Sequence, residues 1–178
     1  MNIETIVKVT SRAWSLDILA SLYSGVPGRQ APLLSSIGAS RTAFTNSLAH
    51  LVELGLLVRN PGHGHPLRPE YRLTPEGVEI SKIAGKLVRV VPSDTEFAAL
   101  RRTWTLPVLT VIQVPRRFTE IKSDLLSITD RALSKSLDQL QELNWLTREV
   151  DVSGRPPRPT YQAVNVGFEI CQAINDGL

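Results

Sequence analysis

The sequence predicts a mainly α fold with small β-hairpins (α+β), in which one small domain occurs twice in tandem. The first observation is an internal repeat, because residues 40–57 (SRTAFTNSLAHLVELGLL) and 129–146 (TDRALSKSLDQLQELNWL) share one pattern. The second is that Trp14 and Trp104 lie 90 residues apart, close to the spacing of the longer match. The third is that each copy offers the same order of predicted elements: three helices, two strands and a final helix.

The first copy begins with helices at about 14–23 and 30–37. Gly38 then breaks the chain, and Ser40 is placed to cap a longer third helix that Gly55 ends. Within that helix the apolar residues recur at helical spacing, which predicts one buried stripe. Its members are Phe44, Leu48, Leu51 and Leu54.

A β-hairpin and a last helix complete the first copy. Strands are predicted at 56–59 and 70–73, joined by NPGHGHPLRP, a segment too rich in Pro and Gly to be helical. Thr74-Pro75-Glu76 then provides an N-cap, an N1 proline and an acidic first turn for a helix that continues to about Leu87.

The second copy repeats this order. Its predicted elements are helices at about 104–113, 117–125 and 130–143, strands near 146–150 and 160–164, and a helix from about 166. Ser93 and Glu96 have the spacing of a capping box, which predicts a connecting helix over about 94–103. We therefore place the first domain at residues 1–90, and the connecting helix and second domain at 91–178.

Composition excludes several classes of protein. The 178 residues are 42% hydrophobic and 21% charged, which is typical of a globular fold. The opening residues fit neither a signal peptide nor a membrane span, so we expect a cytoplasmic, nucleoid-associated protein without a membrane partner. Cys171 is the single cysteine, which excludes disulfide scaffolds and zinc fingers and favours a buried structural thiol. We expect no metal site and no cofactor.

Charge differs between the two halves. Residues 1–90 hold ten Lys/Arg and six Asp/Glu, whereas residues 91–178 hold ten and eleven. The net charge of +3 allows a nucleic-acid partner without requiring one.

Three helices followed by a two-stranded hairpin predict a winged helix-turn-helix, whose third helix enters the major groove of double-stranded DNA. The polar sides of the two third helices carry side chains that bond phosphates and base edges, and the Pro-rich hairpin tips carry His and Arg. The residues predicted to contact DNA are Ser40, Arg41, Thr42, Thr45, Asn46, His63, His65 and Arg68 in the first copy, and Thr129, Arg131, Ser134, Lys135, Arg155 and Arg158 in the second. Asp130 would repel a nearby phosphate, so the second helix is expected to read different bases or to bind more weakly.

Other interpretations stay open at this stage. A polar helix face is usually only solvated, and His63-x-His65 lacks a third ligand nearby, which favours a loop feature over a metal site. The tryptophans are interpreted as core or interface anchors. A protein-interaction module is the alternative to DNA binding, because the second half is slightly acidic. An enzyme has little support, since the sequence has no Gly-rich phosphate loop, HExxH or GxSxG motif.

Each half resembles the HxlR-type winged-helix transcriptional regulators of bacteria. The second copy carries the pattern best, in RRTWTLPVLTVI, in PRRFTEIKSDLLSITDRALSKSLDQLQELNWLTREV and in RPPRPTYQAVNVG. The first copy matches through WSLDILASLYSG, GASRTAFTNSLAHLVELGLLVR and PLRPEYRLTPEG. Together these segments cover most of the chain.

The resemblance implies a covalent pseudo-dimer. Family members usually have one such domain and act as homodimers on pseudo-palindromic operators, so this chain is expected to hold two recognition helices about 34 Å apart on DNA as a monomer. Further dimerisation, RNA polymerase and another regulator are additional partners that this hypothesis allows. The terminal helices, near 2–10, 76–88, 94–103 and 166–176, are expected to form the interface between the domains.

Two departures limit what the resemblance transfers. Some relatives sense oxidants through a cysteine near the N-terminus, which this sequence lacks. The residue after the cap of the recognition helix is often proline in the family but is Arg41 in one copy and Asp130 in the other. Base specificity therefore cannot be carried over.

Overall fold

The computed structural model describes residues 2–60, 69–91, 93–152 and 157–175. In the first repeat it contains α1 (Ile3–Thr10), α2 (Ser15–Tyr23), α3 (Gln30–Ile37), α4 (Arg41–Glu53), β1 (Leu57–Asn60), β2 (Glu70–Leu73) and α5 (Pro75–Val90). In the second repeat it contains α6 (Asp94–Leu100), α7 (Thr105–Val111), β3 (Arg116–Arg117), α8 (Phe118–Asp124), α9 (Asp130–Glu142), β4 (Leu146–Asp151), β5 (Arg158–Ala163) and α10 (Val166–Asn175). The predicted order of helices and strands is confirmed in both repeats.

The second sheet has one strand more than the sequence predicted. Strands β1 and β2 form an antiparallel pair, whereas the second sheet has the order β3-β5-β4. At the corresponding place in the first repeat, Arg29 and Glu70 form a single β-bridge. Two residues are too short a stretch for period-2 alternation to reveal, which is why β3 was not predicted.

The connecting helix is shorter than predicted. It ends at Leu100 rather than near residue 103, because the amides of Arg101 and Arg102 bond the carbonyls of Ala98 and Ala99, three residues back. That tightening ends the helix and lets the chain turn into α7. The cap was predicted correctly: Ser93 Oγ accepts from the amide of Glu96 at 3.2 Å, although the Glu96 carboxylate receives the Ser93 hydroxyl instead of a backbone amide.

Helices α4 and α9, which are the third helices of the two predicted winged helix-turn-helix motifs, each bury their apolar stripe within their own repeat. In α4, Phe44, Leu48 and Leu51 are at most 1% exposed. In α9 the buried positions are Leu133, Ser136, Leu137 and Leu140. Burial of a Leu or Phe side chain stabilises a fold by about 1.5–3 kcal/mol, so these stripes fix which faces of α4 and α9 remain in solvent.

The same close backbone approach occurs in both repeats. A methyl group at Gly77 would collide with the carbonyl oxygen of Leu56, and one at Gly167 would collide with that of Trp145. These glycines let the first turns of α5 and α10 lie directly against the chain leading into β1 and β4. The repeat is therefore a repeat of packing as well as of sequence.

The two repeats meet through α1, α5 and α10, as predicted, and also through α7, which was not among the terminal helices expected at the interface. Helix α1 packs against α7, and α5 packs against α10. Thr10, which is 2% exposed, donates its hydroxyl to the carbonyl of Thr103 at 2.8 Å. The Arg101 guanidinium reaches Asp17 of α2 and lies 4.0 Å from the centre of the Trp14 ring.

Two further predictions concern buried groups. Cys171 is 1% exposed and donates its thiol to the carbonyl of Leu109 at 3.0 Å, so it is a buried structural thiol. Trp145 is 1% exposed and belongs to the core. Among the residues described, no helix has the length and apolar character to cross a bilayer.

Candidate nucleic-acid interface

Helix α4 is positioned by the turn that precedes it. Gly38 adopts φ +65° and ends α3, and Ser40 then caps α4 by accepting a hydrogen bond from the amide of Ala43 at 3.3 Å. The chain between α3 and α4 is thus a short turn in which one residue must tolerate a left-handed conformation.

The side of α4 that faces solvent, opposite its buried stripe, is polar; we call it the outward side. Arg41, Thr42, Thr45 and Asn46 are all exposed, on the side of the helix opposite its buried stripe. Within the described residues, none of these four side chains has an ion pair or a side-chain hydrogen bond. The first turn of α4 contains no acidic residue. One guanidinium, one amide and two hydroxyls therefore face solvent together, a set that bonds both phosphates and base edges.

Helix α9 is built in the same way but carries a different charge pattern. Thr129 caps it by accepting from the amide of Ala132 at 3.2 Å. Asp130 follows the cap, and its carboxylate is 2.7 Å from the ammonium of Lys122 on α8. Arg131, Ser134 and Lys135 are exposed, which leaves two cations and one hydroxyl on the outward side.

The two helices present their arginines at different angles. Aligning the caps Ser40 and Thr129 places Asp130 at the position of Arg41, and Arg131 at that of Thr42. One residue along an α-helix is a rotation of about 100°, so the two guanidiniums do not point in equivalent directions. The structure therefore brings the predicted residues together within each helix but makes the two surfaces unlike.

The turns before the two helices also differ. Leu126 corresponds to Gly38, has φ +44° and is 90% exposed. The second turn has one residue more, since Ser127 and Ile128 precede the cap where the first turn has only Ala39. The second repeat thus holds a strained, exposed leucine beside its outward helix.

Strands β1 and β4 pack beside α4 and α9, which we call the outward helices. Most of the residues predicted at the hairpin tips lie outside the described residues. These are His63, His65, Arg68 and Arg155. Arg158 is described: it is exposed and begins β5, opposite Asp151 in the strand register.

Sequence reasoning did not single out the basic residues on the hairpin strands. Arg59 on β1 and Arg148 on β4 are exposed, and each lies opposite a tyrosine of the paired strand. Alternation along the strands could not identify them, because Arg59 and Arg148 follow buried Leu57 and Leu146 by two residues and so lie on the same strand faces as these apolar residues. The two arginines extend the exposed positive charge from the helix to the hairpin in each repeat.

Comparison with known proteins gives one family that matches both repeats. The family model described as HxlR-like helix-turn-helix matches residues 9–96 and again residues 99–176. Taken together, the two matches cover nearly the whole chain.

Curated relatives come from mycobacteria. An uncharacterised HTH-type transcriptional regulator of Mycobacterium tuberculosis (strain CDC 1551 / Oshkosh) is 36% identical over 74 residues, which are 42% of this chain and 46% of the relative. A protein with the same description from Mycobacterium bovis is 35% identical over the same shares of both chains. The chain therefore matches about half of the length of each relative.

Two solved structures are similar over about half of the chain. The reduced form of the transcriptional regulator YodB from B. subtilis has a TM-score of 0.42 at 21% identity, covering 47% of this chain and 81% of that one. A protein described as a MarR-family transcriptional regulator from Porphyromonas gingivalis W83 has a TM-score of 0.43 at 21% identity, covering 48% and 83%.

Proposed function

The chain belongs to the HxlR-like helix-turn-helix family, and on that premise we propose that it is a sequence-specific regulator of transcription that binds double-stranded DNA through α4 and α9. The family and the names of the mycobacterial relatives indicate a regulator and not an enzyme. In this proposal the two outward helices occupy successive major-groove half-sites, so one chain provides the two recognition helices that a homodimer would provide.

The outward side of α4 carries the proposal. Its exposed Arg41, Thr42, Thr45 and Asn46 have no competing partners in the described structure, so their donors are free for DNA. Arginine forms bidentate bonds to guanine and asparagine to adenine, while threonine bonds phosphate or meets the methyl group of thymine. The exposed Arg59 on the hairpin strand adds a group suited to the DNA backbone.

The unlike sides of α4 and α9 imply unlike half-sites. Asp130 repels phosphate, and its ion pair with Lys122 on α8 competes with phosphate for that ammonium. We therefore infer that α9 binds more weakly than α4 and reads other bases, with Arg131 and Lys135 as its main donors.

Selection from a random duplex pool tests this function. Purified full-length chain is expected to enrich one sequence, and the affinity should fall steeply as salt is raised. Arg41→Ala should weaken binding to the enriched site by about tenfold or more, because a bidentate base contact is worth about 1–3 kcal/mol. Lys82→Ala, which removes an exposed charge from α5, is the control. Failure to enrich any sequence at any salt concentration would contradict the proposal.

A protein contact by the second repeat is the second candidate function. The observation that favours it is Leu126, a 90% exposed apolar side chain beside a helix that begins with an acid. A partner retained by a chain that shows no salt-sensitive DNA binding, and lost in Leu126→Ser, would favour this alternative.

A further inference from the structure

A pocket of about 300 Å³ lies between α9 and the turn that joins α6 to α7. The turn contributes Arg102, Thr103 and Trp104, while α9 contributes Lys135, Gln139 and two smaller residues on the same side of the helix. This volume is at the lower end of the range of small-molecule sites in proteins, so the pocket has room for one compact group.

The charged groups of this pocket are all positive. Arg102 and Lys135 are exposed, and within the part of the chain that the structure describes neither has an ion pair or a side-chain hydrogen bond. Asp138, the next acid along α9, does not line the pocket, and Arg101 is paired with Asp17 instead. Two cations without a counter-charge favour an anion over a neutral or cationic ligand.

A buried hydroxyl opens into the same pocket. Ser136 lines the pocket and is 8% exposed, and its hydroxyl has no hydrogen-bond partner among the described residues. By comparison, the hydroxyls of Thr10 and Ser81 donate to carbonyls of the preceding helical turn at 2.9 Å and 2.8 Å. A buried hydroxyl without a partner costs free energy, so Ser136 supplies a donor for a group that occupies the pocket.

The pocket borders the outward side of α9, because Lys135 belongs to both. Arg102 precedes α7, whereas strand β3 follows α7 and pairs with β5. A helix of seven residues is about 10 Å long, so Arg102 and the sheet lie near opposite ends of α7, against which α9 packs. The pocket and the hairpin therefore flank α9 at different sides.

The first repeat has a less positive version of this set. The arginine and the buried serine recur there as Arg12 and Ser47. Asn46 takes the place of Lys135, so one of the two cations is missing. The full combination of two cations and a buried hydroxyl therefore belongs to the second repeat.

We propose that the pocket binds one phosphate of the DNA backbone, with Arg102 and Lys135 as its counter-charges and Ser136 as a hydrogen-bond donor. A helix in the major groove has a phosphate backbone on each side, and contacts to these phosphates position the helix without reading the sequence. The hairpin, which carries the exposed Arg148, faces one backbone, and the pocket faces the other. This inference rests on the proposed function, because it takes DNA as the source of the phosphate.

The pocket gives the second repeat a part in binding that differs from that of the first. Asp130 weakens the interaction of the start of α9 with DNA, whereas a phosphate held by Arg102 and Lys135 adds affinity that is independent of base sequence. The second repeat therefore stabilises the complex on any duplex, in addition to the bases that α9 reads.

Salt-titrated binding of the full-length chain to two duplexes tests this site. One duplex carries the enriched sequence and the other an unrelated sequence. Arg102→Ala should weaken binding to both by the same factor and should lower the slope of log K against log salt by up to about 0.9, the value for one phosphate. Arg89→Ala is the matched control, because it removes the same charge from an exposed position at the end of α5. It should leave both affinities unchanged.

A scan of the enriched duplex with methylphosphonate identifies the phosphate. Each phosphate is replaced in turn by an uncharged methylphosphonate. At one position the replacement should weaken binding of the wild type and of Arg89→Ala by about threefold or more, and should have no effect on Arg102→Ala, which has already lost the contact.

The proposal is overturned if Arg102→Ala and Arg89→Ala give equal slopes, if Arg102→Ala weakens only the enriched duplex, or if every methylphosphonate acts equally on wild type and Arg102→Ala. Calorimetric binding of inorganic phosphate below millimolar concentration, with DNA binding unchanged in Arg102→Ala, would overturn DNA as the source of the phosphate. Enrichment of a sequence with an unchanged slope in Arg102→Ala would overturn the pocket alone. Salt-dependent binding that is reduced in Arg102→Ala, without enrichment of any sequence, would overturn the sequence-specific function alone.

Discussion

Arg101 and Asp17 join the two repeats through a forked ion pair, in which Nη2 and Nε of the guanidinium lie 2.8 Å and 3.2 Å from Oδ1 of the carboxylate. Ninety residues away, the equivalent positions are Ser11 and Pro107, which cannot form such a pair. The contact between the repeats is therefore asymmetric, although the repeats themselves are alike. A homodimer would have to form such a contact twice or not at all.

Arg101→Ala is expected to lower the free energy of unfolding by about 2–3 kcal/mol, because it leaves the buried Asp17 without its cation. The loss of contact with Trp14 adds to this effect. Urea unfolding followed by circular dichroism measures it. Arg102→Ala is the control, since Arg102 is an exposed neighbour. An equal effect of the two substitutions would show that the pair does not stabilise the interface.

The loss of unfolding free energy caused by Arg101→Ala should depend on pH. Burial raises the pKa of Asp17 above its ordinary value of 3.8, and Arg101 opposes that rise. Without Arg101 the folded-state pKa rises further, so stability is lost as the pH increases above the unfolded value. We expect the difference in unfolding free energy between wild type and Arg101→Ala to be larger near pH 7 than near pH 4. A difference independent of pH would contradict this account of Asp17.

Asp130→Asn should strengthen DNA binding. The substitution removes a carboxylate from the start of α9 and frees Lys122, which the carboxylate holds at 2.7 Å. We expect log K to fall with log salt more steeply, by about 0.9 for one added phosphate contact. Asp138→Asn, at an exposed position further along α9, is the control for a general charge effect. If log K depends on log salt equally for Asp130→Asn and Asp138→Asn, Asp130 does not lie near the DNA.

The two turns before the outward helices should respond to substitution in opposite directions. Gly38 has φ +65°, and a methyl group there would meet open space, so Gly38→Ala should cost about 1 kcal/mol through backbone strain alone. Leu126 has φ +44° at the corresponding position, so Leu126→Gly should stabilise the protein by up to about 1 kcal/mol. Thermal unfolding of both variants checks this, and changes of the same sign would contradict it.

Cys171 should be unreactive in the folded protein. Burial raises the pKa of its thiol to about 12, so the thiolate that reacts with alkylating agents is scarce near pH 8. Labelling by iodoacetamide is expected to proceed only as fast as the protein opens, and mild denaturant should accelerate it. Fast labelling under native conditions would show that the thiol is accessible.

Much of the fold could be predicted from the sequence because two copies of one pattern support each other. Gly55 and Asn144 occupy the same left-handed position after α4 and α9, which fixes the ends of these helices in both repeats. The buried stripe of α4 follows from apolar spacing alone. Strand β3 and the early end of α6 could not be predicted, because they depend on pairing with β5 and on a local i to i−3 bond, neither of which leaves a periodic pattern.

The candidate interface was predictable in composition but not in detail. The exposed sides of α4 and α9 follow from helical periodicity, so the residues predicted on them lie where expected. The ion pair of Asp130 with Lys122 joins residues of different helices, and sequence spacing does not reveal it.

The most direct test of the central claim, that one chain reads two unlike half-sites, exchanges the outward side of α9 for that of α4. The four substitutions Asp130→Arg, Arg131→Thr, Ser134→Thr and Lys135→Asn are all at exposed positions, so the fold should persist. Selection from a random duplex pool should return two unlike half-sites for the wild type, bound by one chain, and an inverted repeat of the α4 half-site for the exchanged variant. The same enriched sequence for both proteins would contradict the claim, because α9 would then read no bases.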